Sequence, residues 1–144
     1  MRVDGEWLTC SDGVVRPVIN GLVQITGNQW ENIAFLLDAG ADRTVFSADF
    51  LSLFTKTNGE SLHLAGIGGN VNTIAVKTEL RFTKDDGKTI AIHGTFGVFT
   101  NSESADLSVL GRDVTDNFSV IYDRPNQVVA LLAPPHFYEI KTAS

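Results

Sequence analysis

Phe35-Leu36-Leu37-Asp38-Ala39-Gly40-Ala41-Asp42-Arg43-Thr44-Val45-Phe46 decides how this chain of 144 residues is read. An apolar, strand-like run ends in a carboxylate, passes through Ala-Gly-Ala and resumes strand character at Thr44. Burying an ionised Asp without partners is costly, because its hydration is lost and not replaced. Asp38 is therefore either a solvated turn residue, Asp-x-Gly being an ordinary turn pattern, or a functional carboxylate. Ile33 to Leu37 reads as a continuous strand, buried on both faces, that delivers Asp38 to its end. Such strand-to-loop junctions are where a rigid scaffold holds functional groups.

Outward from that stretch the chain reads as β throughout. Val14 to Ile25 is β-branched and apolar, and Asn20-Gly21 predicts a hairpin turn between two short strands or a bend in one. Gly27-Asn28-Gln29 predicts a second turn. Ser47 to Phe54 predicts one or two helical turns, with Ser47 as N-cap and Phe50, Leu51 and Phe54 on one face, closed by Thr57-Asn58-Gly59-Glu60. Ser61 to Lys77 alternates as a hairpin whose tip, Gly66-Ile67-Gly68-Gly69, brings glycines together around one Ile; that backbone is free to bend and to take positive φ, at an entropic cost a plain turn does not need. Thr78 to Phe82 and Thr89 to Phe99 follow as strands joined by the turn Lys84-Asp85-Asp86-Gly87-Lys88. After the polar loop Thr100 to Ser104, Leu107 to Leu110 is a buried strand, Arg112 to Phe118 a short helix, and Val120 to Tyr122 and Gln127 to Leu132 two more strands.

Three of these stretches, taken in order, resemble the retropepsins, the single-domain aspartic proteases of retroviruses and their cellular and bacterial relatives. Leu36-Leu37-Asp38-Ala39-Gly40-Ala41 is similar to the family's active-site loop, Leu64-Ala65-Gly66-Ile67-Gly68-Gly69 to its flap tip, and Leu107-Ser108-Val109-Leu110-Gly111-Arg112-Asp113 to its second signature. The resemblance spans residues 17–132. It implies an all-β fold, a small closed barrel-like acid-protease domain with a glycine-rich flap hairpin and one or two short helices, over 1–144 as a single domain with extensions at 1–13 and 134–144. It further implies Asp38 as the catalytic residue and Gly40, Ala41, Asp42, Ala65, Gly66, Ile67 and Gly68 as substrate-binding positions. Ala39, Asp42 and Arg112 fall where the family braces its dimer, Asp42 and Arg112 as an ion pair.

Aspartic-protease chemistry needs two carboxylates sharing one proton, and one chain carries a single Asp-x-Gly-Ala. The resemblance therefore implies a homodimer acting as an endopeptidase on a peptide or protein substrate, with no cofactor. Ala39 departs from the family pattern, which has Thr or Ser there, its hydroxyl bonding across the dimer. The loss leaves a second reading open, a catalytically weak or inactive dimerisation or peptide-binding module. A plain β-barrel binding domain with an incidental Asp-x-Gly is the third.

Composition narrows the alternatives. A formal net charge of −6, with eleven Lys and Arg scattered along the chain, argues against a nucleic-acid partner, which demands clustered cations. The single cysteine, Cys10, permits no intrachain disulfide. No apolar run approaches a membrane span and the first residues lack the apolar core of a signal peptide, so the expectation is no membrane partner and a cytoplasmic protein or one released from a polyprotein. The three histidines, His63, His93 and His136, lack the spacing of a helical zinc site, and Asp85 and Asp86 lack the rest of a calcium loop, so no metal is expected.

Overall fold

The computed structural model describes residues 1–54, 61–66, 69–101 and 107–143, the stretch 61–72 by its backbone course alone. The strands are β1 (Arg2–Asp4), β2 (Glu6–Thr9), β3 (Val15–Thr26), β4 (Gln29–Leu37), β5 (Val45–Phe46), β6 (Ser61–Gly66), β7 (Gly69–Thr83), β8 (Thr89–Phe99), β9 (Ser108–Leu110), β10 (Ser119–Asp123) and β11 (Val128–Leu132). One 3-10 turn (Ala48–Phe50) and one helical turn, α1 (Arg112–Thr115), join them. Among the described residues no helix is long and apolar enough to cross a membrane.

Six strands close on themselves in the order β3-β4-β9-β5-β8-β7, because β7 returns to pair with β3 at Leu22↔Arg81 and Val23↔Leu80. Closure removes the free edges that a sheet otherwise exposes. The interior is aromatic: Phe35 packs against Phe46 and Phe82 with ring centroids 6.0 and 6.1 Å apart, and Phe46 against Phe96 at 5.8 Å. Ile19, Leu80 and Leu110 fill the space between them without measurable exposure. A small sheet, β1-β11-β10, covers one end and adds Val3, Val129 and Leu131 to the same core.

Several local expectations need correction. Asn20-Gly21 is not a turn: both residues sit in mid-ladder, opposite Ala34 and Ile33, within one long β3. Gly21 serves the barrel closure instead, since a Cβ there would lie 2.9 Å from the Arg81 carbonyl oxygen and 2.9 Å from the Phe82 ring. The turn at the next signal is tighter than expected, with Thr26 opposite Gln29 and only Gly27-Asn28 between them. Ser47 precedes the 3-10 turn but makes no side-chain cap; its N–H donates to Ser108 Oγ at 2.9 Å. Helix α1 ends at Thr115, and backbone bonds in turn geometry carry the chain on to Phe118. Phe35 and Leu37 are buried on one face of β4, whereas Leu36 on the other is half-exposed, so the strand is not covered on both sides. The hairpin β6–β7 is present as expected, but its outgoing strand runs unbroken to Thr83. The turn Thr57 to Glu60 lies outside the described residues, as does most of the loop Thr100 to Ser104.

Candidate active site

Strands β4 and β9 are parallel, with Phe35, Leu36 and Leu37 opposite Ser108, Val109 and Leu110. They end at the same level, so Asp38 and Gly111 leave the barrel side by side. The Asp38 N–H donates to the Leu110 carbonyl at 3.3 Å, one more rung of the same ladder. Asp38 Oδ1 then accepts the Gly40 N–H at 2.9 Å and the Asp38 carbonyl accepts the Ala41 N–H at 3.1 Å, which folds residues 38–41 into a tight turn. The carboxylate is half-exposed at the head of this turn, while Ala39 and Gly40 are exposed.

The far side of the loop is locked to the segment that follows β9. Arg112 N–H donates to the Ala41 carbonyl at 2.8 Å and Asp113 N–H to the Asp42 carbonyl at 3.2 Å. Thr44, fully buried, gives its hydroxyl proton to Asp113 Oδ1 at 2.7 Å, its N–H to Asp113 Oδ2 at 3.0 Å, and accepts the Gly111 N–H on the same hydroxyl at 3.0 Å. Gly111 admits no side chain, because a Cβ would stand 2.3 Å from the Arg43 carbonyl carbon. Asp42 and Arg112 form a surface ion pair within the chain, and the hydrogen bond that Arg112 donates to that carboxylate raises its guanidinium above its ordinary pKa.

The structure therefore brings Asp38, Ala39, Gly40, Ala41, Asp42 and Arg112 into one constellation. Ala65 and Gly66 lie at the end of β6, their backbones opposite Asn70 and Gly69. Ile67 and Gly68 lie outside the described residues. Thr44 and Asp113 were not among the expected site residues, although they hold the loop; their partners are about seventy positions apart in sequence, and nothing local announces the pairing.

A second feature that no motif announced is a groove of about 440 Å³ lined by Leu8, Cys10, Arg16, Leu36, Leu107 and Val109, among others. Leu36 precedes Asp38 by two positions and so shares its face of the strand. Leu8 comes from β2, which pairs with β3 and brings the N-terminal segment alongside. The wall is mainly apolar. At its rim Arg16 is held by Asp12 through two hydrogen bonds of 2.9 and 2.7 Å. Among the described residues no group of three His, Cys, Asp or Glu side chains is placed to hold a metal ion.

The chain is similar to solved structures of known proteins. The retropepsin-like aspartic protease from Rickettsia conorii superposes with a TM-score of 0.54 at 19% identity, over 91% of this chain and 88% of that one. The EIAV protease in complex with the inhibitor HBY-793 is 26% identical over 76% of this chain and 92% of its own, with a TM-score of 0.46. No curated protein matches by sequence. Residues 14–121, which run from the start of β3 into β10 and take in both the Asp38 loop and Gly111-Arg112-Asp113, match the family model of the retroviral aspartyl protease, and on that match the chain belongs to the retroviral aspartyl protease family.

Proposed function

We propose that the protein is an aspartic endopeptidase that acts as a homodimer, each chain contributing Asp38 to a shared pair. The observation that carries this reading is the Asp38 turn itself: a half-exposed carboxylate at the end of a barrel strand, held by Gly40 N–H and backed by the Thr44–Asp113 lock. One chain offers one such turn, so a two-fold axis beside it supplies the second. Two carboxylates that close cannot both be ionised, and they titrate as a pair. The ionised one takes a proton from water as the water oxygen bonds to the scissile carbonyl carbon; the protonated one gives its proton to the carbonyl oxygen. Collapse of the resulting diol breaks the C–N bond, with a proton passing to the departing nitrogen.

The substrate in this reading is an extended peptide held by main-chain hydrogen bonds. The groove of Leu8, Leu36, Leu107 and Val109 receives an apolar side chain next to the scissile bond. Ala65, Gly66, Ile67 and Gly68 cover the peptide from the hairpin tip, and the Asp42–Arg112 pair braces the loop against the second copy. Incubation with a mixed peptide pool from pH 3 to 7, read by mass spectrometry, tests it. Cleavage that is abolished by Asp38→Asn supports the proposal; cleavage unchanged by that substitution refutes it.

Ala39 favours one competing reading, a domain that dimerises and binds peptides with little turnover, since its exposed methyl offers the loop no hydroxyl. Ala39→Thr separates the two. A large gain in rate from a nearly inactive parent supports the binding-module reading; an already efficient parent excludes it.

A further inference from the structure

One face of the sheet builds the groove. Leu8 on β2 is opposite Arg16 on β3, Val18 on β3 is opposite Leu36 on β4, and Leu36 is opposite Val109 on β9. Residues opposite each other, or two apart along a strand, share a face, so Leu8, Arg16, Leu36 and Val109 line the same side, which Asp38 joins two positions after Leu36. Among the described residues of the groove wall, Arg16 is the only charged one.

That cation is already paired. Its Nη1 donates to Asp12 Oδ1 at 2.9 Å and its Nη2 to Asp12 Oδ2 at 2.7 Å, a bidentate bridge whose Arg16 side chain is 32% exposed. Asp12 is fixed in turn by the loop that joins β2 to β3. Its Oδ1 accepts the Val14 N–H at 2.9 Å, while Cys10 N–H donates to the Val14 carbonyl and Gly13 N–H to the Cys10 carbonyl, both at 2.9 Å. Arg16 first, and the Val14 N–H second, hold the Asp12 carboxyl down to about 2, so the pair stays ionised in mild acid. A carboxylate on a substrate side chain that entered the groove would lose water and meet a guanidinium already neutralised, with the Asp12 charge behind it. An apolar side chain meets no such cost.

We propose that Asp12 is a positioning residue that sets the specificity of the peptidase: by engaging Arg16 it reserves the groove for an apolar side chain next to the scissile bond and turns away an acidic one, which a free Arg16 would accept. The inference rests on the homodimeric protease reading above. It gives the β2–β3 hairpin a part in choosing the substrate.

Asp12→Asn keeps an oxygen for the Val14 N–H and removes the charge that occupies Arg16. The experiment measures kcat/KM at about pH 6, where a glutamate side chain is ionised, for peptides that differ only in Leu or Glu at each residue flanking the cleaved bond. The full-length wild type, Asp12→Asn and the double variant Asp12→Asn/Arg16→Gln are compared. The wild type should prefer Leu, and Asp12→Asn should raise the ratio of Glu to Leu cleavage about tenfold, as one charge-assisted hydrogen bond to a partly exposed guanidinium does. The double variant should return the ratio to the wild-type value, which a merely loosened turn would not do. A ratio unchanged by Asp12→Asn, an equal rise in the double variant, or a wild type that already prefers Glu overturns the assignment while the protease reading stands. A wild type that cleaves no peptide overturns both.

Discussion

Thr44 serves two segments with one hydroxyl, donating to Asp113 and accepting from Gly111, and the burial of Thr44 and Gly111 leaves no water to take over the second bond. Thr44→Val keeps the shape, orphans the buried Gly111 N–H and takes one of two bonds from the exposed Asp113 carboxylate. Unsatisfied buried polar groups cost about 1–3 kcal/mol, so the urea midpoint should fall by that equivalent, with a larger loss of any peptidase activity than a core substitution of equal destabilisation causes. The Asp12–Arg16 pair at the groove rim makes a prediction of a different kind. The Asp12 carboxyl is held down from 3.8 to about 2, chiefly by the Arg16 guanidinium and then by the Val14 N–H. A depressed carboxyl stabilises the folded state fully above its unfolded value and loses that contribution as pH falls through the folded one. Asp12→Asn should therefore lower the melting temperature slightly at neutral pH, and the difference from wild type should vanish as pH falls from 3.8 to about 2. Because the pair is open to solvent, a difference that persists or grows below that range would show that Asp12 acts through something other than its charge.

At the level of elements, the parallel pairing of β4 and β9 matters most for the site, and the contact of β3 with β7 matters most for the barrel. The second depends on Gly21. Adding a methyl group there presses on the Arg81 carbonyl, a backbone atom that cannot rotate away. Gly21→Ala is expected to destabilise the protein by about 1–3 kcal/mol, as overpacking does, and to speed amide exchange selectively at residues 21–23 and 80–82. Uniform acceleration across the chain would place the strain elsewhere. This glycine shows where local reading misleads. Asn-Gly is a strong hairpin signal, yet here the dipeptide lies in mid-strand, because the absence of a side chain is used for a close crossing instead of a positive φ. Thr26 and Gln29 around Gly27, which has φ +40°, provide the turn that the sequence pattern also indicated.

For the whole molecule, the proposed chemistry is a property of two chains. Mixing a fixed amount of wild type with an equal amount of Asp38→Asn should leave about half the activity if the chains exchange freely, because half of the wild-type copies then pair with an inert one. Additive activity with no such loss would mean that one chain suffices. The small sheet β1-β11-β10 bears on how two copies meet. Its strands pair within one chain, and Tyr122 and Val128 remain exposed on it. The tail beyond it is also exposed at Phe137 and Ile140, while His136 and Tyr138 return to hydrogen-bond Ser119 on β10.

The sequence by itself determined the family, the β character and the position of the carboxylate. Those are local properties: a strand with apolar residues that ends in Asp38, a glycine-rich hairpin, and Leu-Gly-Arg-Asp in order along the chain. The tertiary structure alone decided which partners hold the loop, which face of β4 opens to a groove, and that residues 2–9 supply part of the groove wall and of the core. The physical reason is that these features depend on register between strands distant in sequence. Leu36 meets Val109, and Thr44 meets Asp113, through pairings that close only when the barrel does, and a slip of one residue in either strand would turn every side chain to the other face.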